Sequence, residues 1–102
     1  MERVMSLASQ RAVVIFSKSS CDMCYTIKTL FRELGVNTEV YEIDGDPRRR
    51  ETERVLARLG LRPIVPAVFI GGQLVGGTNE VMALHLSGSL IPMLRQAGAI
   101  WL

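Results

Sequence analysis

The stretch Ala12-Val13-Val14-Ile15-Phe16 is apolar at every position and rich in β-branched residues. A strand with one wet face alternates polar and apolar, whereas an unbroken run of this length reads as a strand covered on both faces. Covering both faces takes helices above and below a sheet, so this run points to a layered α/β chain. The sequence that follows supplies the helices. Cys24, Ile27, Leu30, Phe31 and Leu34 recur at helical spacing, Lys28, Arg32 and Glu33 fall on the other side, and Gly35 is the stop. Thr38 to Ile43 alternates as a second strand, and a strand–helix–strand unit implies a parallel pair.

Asp44-Gly45-Asp46-Pro47 reads as a turn opening a helix, with Asp46 as cap and Pro47 at the first position. Val55, Leu56 and Leu59 form the apolar side of that helix, and Gly60 ends it. Pro63 to Ile70 holds a third strand interrupted by Pro66, Gly71-Gly72 is a hairpin signal, and Gln73 to Val75 is the returning strand. Gly76-Gly77-Thr78-Asn79 leads into a helix holding Val81, Met82, Leu84 and His85, which Gly88 ends. Ser89 suits the cap of a last helix with Leu90, Ile91, Met93 and Leu94 as its apolar positions, closed by Gly98. The order is β-α-β-α-β-β-α-α, with room for a short helix before it. It describes an α/β fold, a four-stranded mixed sheet flanked by helices, in one domain over residues 1–102.

At 102 residues there is enough chain for one core and no more. Twelve Lys and Arg against ten Asp and Glu leave a charge of +2, too small to make nucleic acid the main partner. Uncharged stretches such as Val81 to Leu94 are too short to span a bilayer, so no membrane association is expected. Met1 to Gln10 carries Glu2 and Arg3 and has no long apolar run, so no secretory signal is expected. The two cysteines, Cys21 and Cys24, are then expected in a reducing compartment, where chemistry explains such a pair better than cross-linking does.

The placement of Cys21-Asp22-Met23-Cys24 matters more than its spacing. Cys21 falls where a helix begins, and the free N–H groups and dipole there favour an anion. Lys18, three residues upstream, offers a cation that also lowers a thiol pKa. Cys21 is therefore the candidate nucleophile, and Cys24, one turn on, can attack a mixed disulfide formed on it. Three blander readings stand beside this one. The pair could be half of a zinc site, for which the chain adds only His85; Cys24 fits the apolar helix face as a plain core residue; and the two could form a static disulfide. The strand–CxxC–helix context favours redox chemistry.

Lys18-Ser19-Ser20-Cys21-x-x-Cys24 after a buried strand resembles the glutaredoxins of the thioredoxin-like superfamily. Val65-Pro66 resembles their cis-proline loop and Gly76-Gly77 their glycine pair. More narrowly, four segments resemble the plant CC-type (class III) glutaredoxins: Thr26 to Phe31, Val65 to Gly72, Gly76 to Val81, and Ala99-Ile100-Trp101-Leu102. The resemblance implies a thioredoxin-like (glutaredoxin) fold and a glutathione-dependent thiol–disulfide oxidoreductase acting on protein disulfides or protein–glutathione mixed disulfides. It implies Cys21 and Cys24 as catalytic, with glutathione bound by Lys18, Met23, Val65, Pro66, Gly77, Thr78, Asn79 and Glu80. Lys18 would take the glycyl carboxylate, with Arg58 or Arg62 assisting. Val65 would pair with the tripeptide through its backbone, and the helix start at Thr78 and Asn79 would receive the γ-glutamyl carboxylate. Glu80 would face the ammonium group. A plainer role for Thr78 and Asn79 is to cap that helix.

Three departures stand out: Asp22 replaces the second of two adjacent cysteines, Met23 a tyrosine, and Ile64 a threonine. Asp22 opposes a thiolate at Cys21 while stabilising the helix start. The tail has its own implication. In the CC-type subgroup a similar tail, here Ala99, Ile100, Trp101 and Leu102, binds TGA-class basic leucine-zipper transcription factors, with a Leu-rich element upstream that here reads Leu90-Ile91-Pro92-Met93-Leu94. The alternative function is thus a redox adaptor and transcriptional co-regulator, in cytoplasm and nucleus. The plainer role of Trp101 is to pack on the chain's own last helix. A [2Fe–2S] cluster bridged by two copies of Cys21 and two glutathiones is a third expectation.

Overall fold

In the computed structural model, which describes residues 1–100, the chain runs α1 (Glu2–Ala8), β1 (Val13–Ser17), α2 (Asp22–Glu33), β2 (Glu39–Glu42), a 3-10 turn (Ile43–Gly45), α3 (Arg49–Arg58), β3 (Ala67–Ile70), β4 (Gln73–Gly76), α4 (Thr78–Leu86) and α5 (Leu90–Gln96). The sheet order is β2-β1-β3-β4. β1 runs parallel to β2 and antiparallel to β3, and β3 turns into β4 through Gly71-Gly72. This is the thioredoxin-like, mixed four-stranded arrangement expected, and the apolar run lies at its centre with every residue of β1 buried.

Alternation along β1 and β3 sends side chains to two layers. Val14, Phe16, Ala67 and Phe69 meet Val4 and Ala8 of α1 and Val55 and Leu56 of α3. Val13, Ile15, Val68 and Ile70 meet Ile27 and Phe31 of α2, Val81 of α4, and Leu90 and Leu94 of α5. Phe16 also stacks on Tyr41 at 5.6 Å and meets Phe69 edge-on at 5.7 Å. Cys24 departs from the reading that grouped it with Ile27 and Phe31. It packs in the layer of α1 and α3, with Phe16 and Val65. The cysteine is thus drawn towards the segment entering β3.

The helix ends follow one device. After α2, α3, α4 and α5 the chain turns at Gly35, Gly60, Gly88 and Gly98, and the next N–H returns to a carbonyl of the last turn. These bonds are Val36 to Phe31, Leu61 to Leu56, Ser89 to Leu84 and Ala99 to Leu94, at 2.9 to 3.2 Å. Each is the long bond of a Schellman closure.

The starts were harder to read. α3 begins at Arg49, not at Pro47, because Asp46 does not cap it. Asp46 instead accepts from the Arg48 N–H at 2.8 Å and from Arg3 of α1, which fixes a turn rather than a helix start. The third strand begins only at Ala67, since Pro66 has no N–H to give a ladder; Pro63 and Pro66 both follow cis peptide bonds. α4 is capped from Gly77, not by Thr78 or Asn79: the Gly77 N–H donates to Glu80 Oε1 at 2.8 Å. Ser89 occupies the start of α5, but its hydroxyl is turned to Ser87. β2 spans Glu39–Glu42 at a sheet edge and is only half buried. Among the described residues no helix is long and apolar enough to cross a membrane.

Candidate active site

Cys21 stands at the cap of α2 with extended backbone angles (φ −94°, ψ 110°). Its Sγ accepts the Cys24 N–H at 3.0 Å, the bond that a serine or aspartate oxygen makes at an ordinary cap. The two sulfurs are paired across the first turn, with Cα atoms 5.2 Å apart. Cys24 is fully buried and Cys21 partly exposed, so the sulfur at the cap is the one a second molecule can reach. Asp22 and Met23 between them are exposed, Met23 at 49%.

The loop before Cys21 is held by one local turn and by two contacts that no sequence spacing announces. The Cys21 N–H closes a turn on the Lys18 carbonyl at 3.2 Å. Ser19 gives Asp44 both its N–H, at 3.3 Å, and its hydroxyl, at 2.5 Å. That hydroxyl bond holds the Asp44 carboxyl below the usual carboxylate range, with backbone bonds and Lys18 assisting against desolvation. Lys18 Nζ meets Glu53 Oε2 of α3 at 2.7 Å. The Lys18 hydrogen bond likewise lowers the Glu53 carboxyl, with Lys18, Arg49 and Arg50 adding charge attraction and desolvation opposing.

Beside α2 lies a groove of about 400 Å³. Met23, Val65, Pro66, Gly77, Thr78, Asn79 and Glu80, seven of the eight residues expected to hold a tripeptide, line it together. They come from three elements far apart in sequence. Val65 lies just before the paired part of β3, which begins at Ala67. Gly76 lets Glu80 curl back: its φ is +139°, and a Cβ there would sit 2.7 Å from the Glu80 side chain. Leu59, Gly60, Leu61 and Pro63 form part of the wall, and among the described residues Arg62 is its one cation, while Arg58 does not line it. Lys18, the eighth residue, is absent from the lining, tied instead to Glu53. His85 lies elsewhere, beside Tyr25, Thr26 and Met82. Ala99 and Ile100 pack on the layer of α2, α4 and α5, Ile100 being buried, while Trp101 and Leu102 lie outside the described residues.

A sulfur at a helix cap, a second sulfur within reach and an adjoining groove with a helix start at one end can bind a small anionic thiol and exchange disulfides with it. The comparisons with known proteins agree with that chemistry. The family model described as Glutaredoxin matches residues 13–75. Glutaredoxin-C1 of Oryza sativa subsp. japonica is 66% identical over 102 residues, covering 99% of each chain. Monothiol glutaredoxin-S7 of Arabidopsis thaliana is 59% identical over 102 residues, covering 100% of each. Among solved structures, the buckwheat glutaredoxin–glutathione complex superposes with a TM-score of 0.92 at 35% identity, covering 98% of this chain and 91% of that one. The holo form of glutaredoxin C1 from Populus tremula x tremuloides gives 0.89 at 35% identity, covering 94% and 95%.

Proposed function

This chain belongs to the glutaredoxin family, and we propose that it reduces protein–glutathione mixed disulfides and protein disulfides with Cys21 as nucleophile and glutathione as the reductant. The observation that carries the reading is the Cys21 sulfur at the cap of α2, bonded to the Cys24 N–H beside the groove. The same N–H and the helix dipole favour the thiolate once the pair is reduced. The Cys21 thiolate attacks the glutathione sulfur of the client's mixed disulfide, the client leaves as thiolate and takes a proton, and Cys21 carries the glutathione. A second glutathione thiolate attacks that glutathione sulfur, releasing glutathione disulfide and the Cys21 thiolate. Cys24 offers a second route: it displaces glutathione and closes the pair seen here. On a protein disulfide, Cys21 attacks one sulfur and Cys24 releases the client.

In the groove, the α4 start at Thr78 and Asn79 receives the γ-glutamyl carboxylate. Glu80, with one oxygen on Gly77, keeps the other for the ammonium group. The Val65 backbone pairs with the cysteinyl residue, and Pro66 and Met23 wall it in. Lys18 takes the glycyl carboxylate when it leaves Glu53. The test is turnover of a glutathionylated peptide by purified protein. Cys21→Ser should abolish it, and undiminished turnover in that variant would refute the assignment.

A second role belongs to the tail. We propose that residues 99–102 dock on TGA-class basic leucine-zipper factors, which would place the protein in the nucleus as well as the cytoplasm. The sequence Ala99-Ile100-Trp101-Leu102 supports this, and Ile100, seated in the core layer, gives the segment a fixed origin. Truncation after Ile100 should abolish capture of such a factor and leave peptide turnover intact. A [2Fe–2S] cluster is the remaining proposal. Each chain offers Cys21, and among the described residues no three His, Cys, Asp or Glu side chains stand together. The site therefore fits a cluster only when two reduced chains and two glutathiones share it. Visible absorbance after anaerobic purification tests for it.

A further inference from the structure

We propose that Glu53 is a specificity-determining residue of the groove: its carboxylate competes with the ligand's glycyl carboxylate for Lys18. The inference rests on the glutathione reading above and gives Glu53 a role that reading did not assign it. Lys18, expected to take the glycyl carboxylate, is missing from the groove lining, and the structure shows what holds it, the 2.7 Å contact with Glu53 Oε2. The Lys18 and Glu53 side chains are 32% and 30% exposed, so the pair is wet enough to exchange partners without stranding a bare charge in the protein.

Glu53 also has somewhere to go. Arg49 and Arg50 precede it by four and three residues on α3, the spacings at which helical side chains meet. Both already attract its carboxylate, and among the described residues neither forms an ion pair with another acid. A glycyl carboxylate arriving at Lys18 therefore displaces one carboxylate with another, and Glu53 turns to the arginines. Binding gains only the difference between the two pairs at that end of the groove. A ligand that lacks the glycyl charge never enters the competition. Glu53 thus raises the KM for the glutathionylated client, whose glutathione moiety fills the groove, without touching the sulfur chemistry, and it narrows the preference for glutathione over glycyl-blocked analogues.

The experiment is steady-state reduction, by glutathione, of a peptide whose mixed disulfide carries either glutathione or its glycyl ethyl ester. Glu53→Gln should lower the KM for the glutathionylated peptide about two- to fivefold, the range of a partly exposed ion pair, with kcat unchanged and the KM for the ester-bearing peptide unmoved. Glu53→Asp, which keeps the charge, should stay close to the parent, and Lys18→Ala should erase the effect of Glu53→Gln. An unchanged KM for the glutathionylated peptide in Glu53→Gln, or an equal gain with the ester-bearing peptide, overturns the competition and leaves the oxidoreductase reading standing. No turnover of either peptide by the parent protein overturns both. Matching thermal unfolding of parent and Glu53→Gln separates these outcomes from a folding defect.

Discussion

Single residues divide here into those whose role is electronic and those whose role is geometric. Cys21 is the first kind, since its sulfur sits at a cap position and accepts a backbone N–H. Cys24→Ser keeps that N–H and that cap, so it should retain turnover of glutathionylated peptide while losing dithiol reduction of a protein disulfide, measured with each substrate in turn. Gly76 is the second kind. Gly76→Ala forces an L side chain to φ +139° and into the Glu80 side chain. The strain alone is about 1–3 kcal/mol, and Glu80 must leave the Gly77 N–H. A lower melting temperature together with weaker glutathione binding is expected, and an unchanged calorimetric titration would contradict it. Asp44, Asp46 and Glu53 share a third trait. Hydrogen bonds hold all three carboxyls below their ordinary values, Asp46 chiefly through the Arg48 N–H and then Arg3. A depressed carboxyl stabilises the fold above its unfolded pKa and loses that contribution as pH falls through the folded value. Thermal stability should therefore decline below about pH 4, and Asp46→Asn should flatten part of that acid limb. Apart from the Arg48 N–H, two residues from Asp46, none of these partnerships is written in local spacing. Ser19 and Asp44, Lys18 and Glu53, Arg3 and Asp46 meet only because the sheet brings their loops together.

At the scale of elements, the ends were legible where a backbone device fixed them and obscure where a side chain had a choice. Gly35, Gly60, Gly88 and Gly98 all end helices as read, because the closing turn requires left-handed backbone that other residues enter at a cost. Gly35→Ala isolates that cost: φ is +79°, and nothing lies within 4 Å of an added Cβ. A loss of about 1–2 kcal/mol is expected in denaturant unfolding, with no effect on the groove. The start of α3 and the capping bonds of α4 and α5 differ from the reading for one reason. Asp46, Thr78, Asn79 and Ser89 are all competent caps, and competence says nothing about which partner wins. Arg3 and the Arg48 N–H claimed Asp46, Glu80 took over the Gly77 N–H, and Ser87 turned Ser89 aside.

Across the whole molecule, the doubly covered sheet makes the core and the site interdependent. Phe16 is 1% exposed and joins the layer that also holds Cys24 and Val65. Phe16→Ala should cost about 3–5 kcal/mol, a large share of what a domain this size has in reserve, and a much lower urea midpoint is the measurement. The sequence by itself determined the order of elements, the central strand, the two-layer pattern and the position of Cys21 at a helix start, because periodicity, β-branching, glycine stops and a CxxC step are properties of neighbouring residues. Only the tertiary structure decided that Cys24 turns towards the layer of Val65, that seven residues from three elements share one groove, and that Lys18 answers first to Glu53. Those outcomes depend on charges and surfaces meeting across the sheet, where distance along the chain carries no record of distance in space.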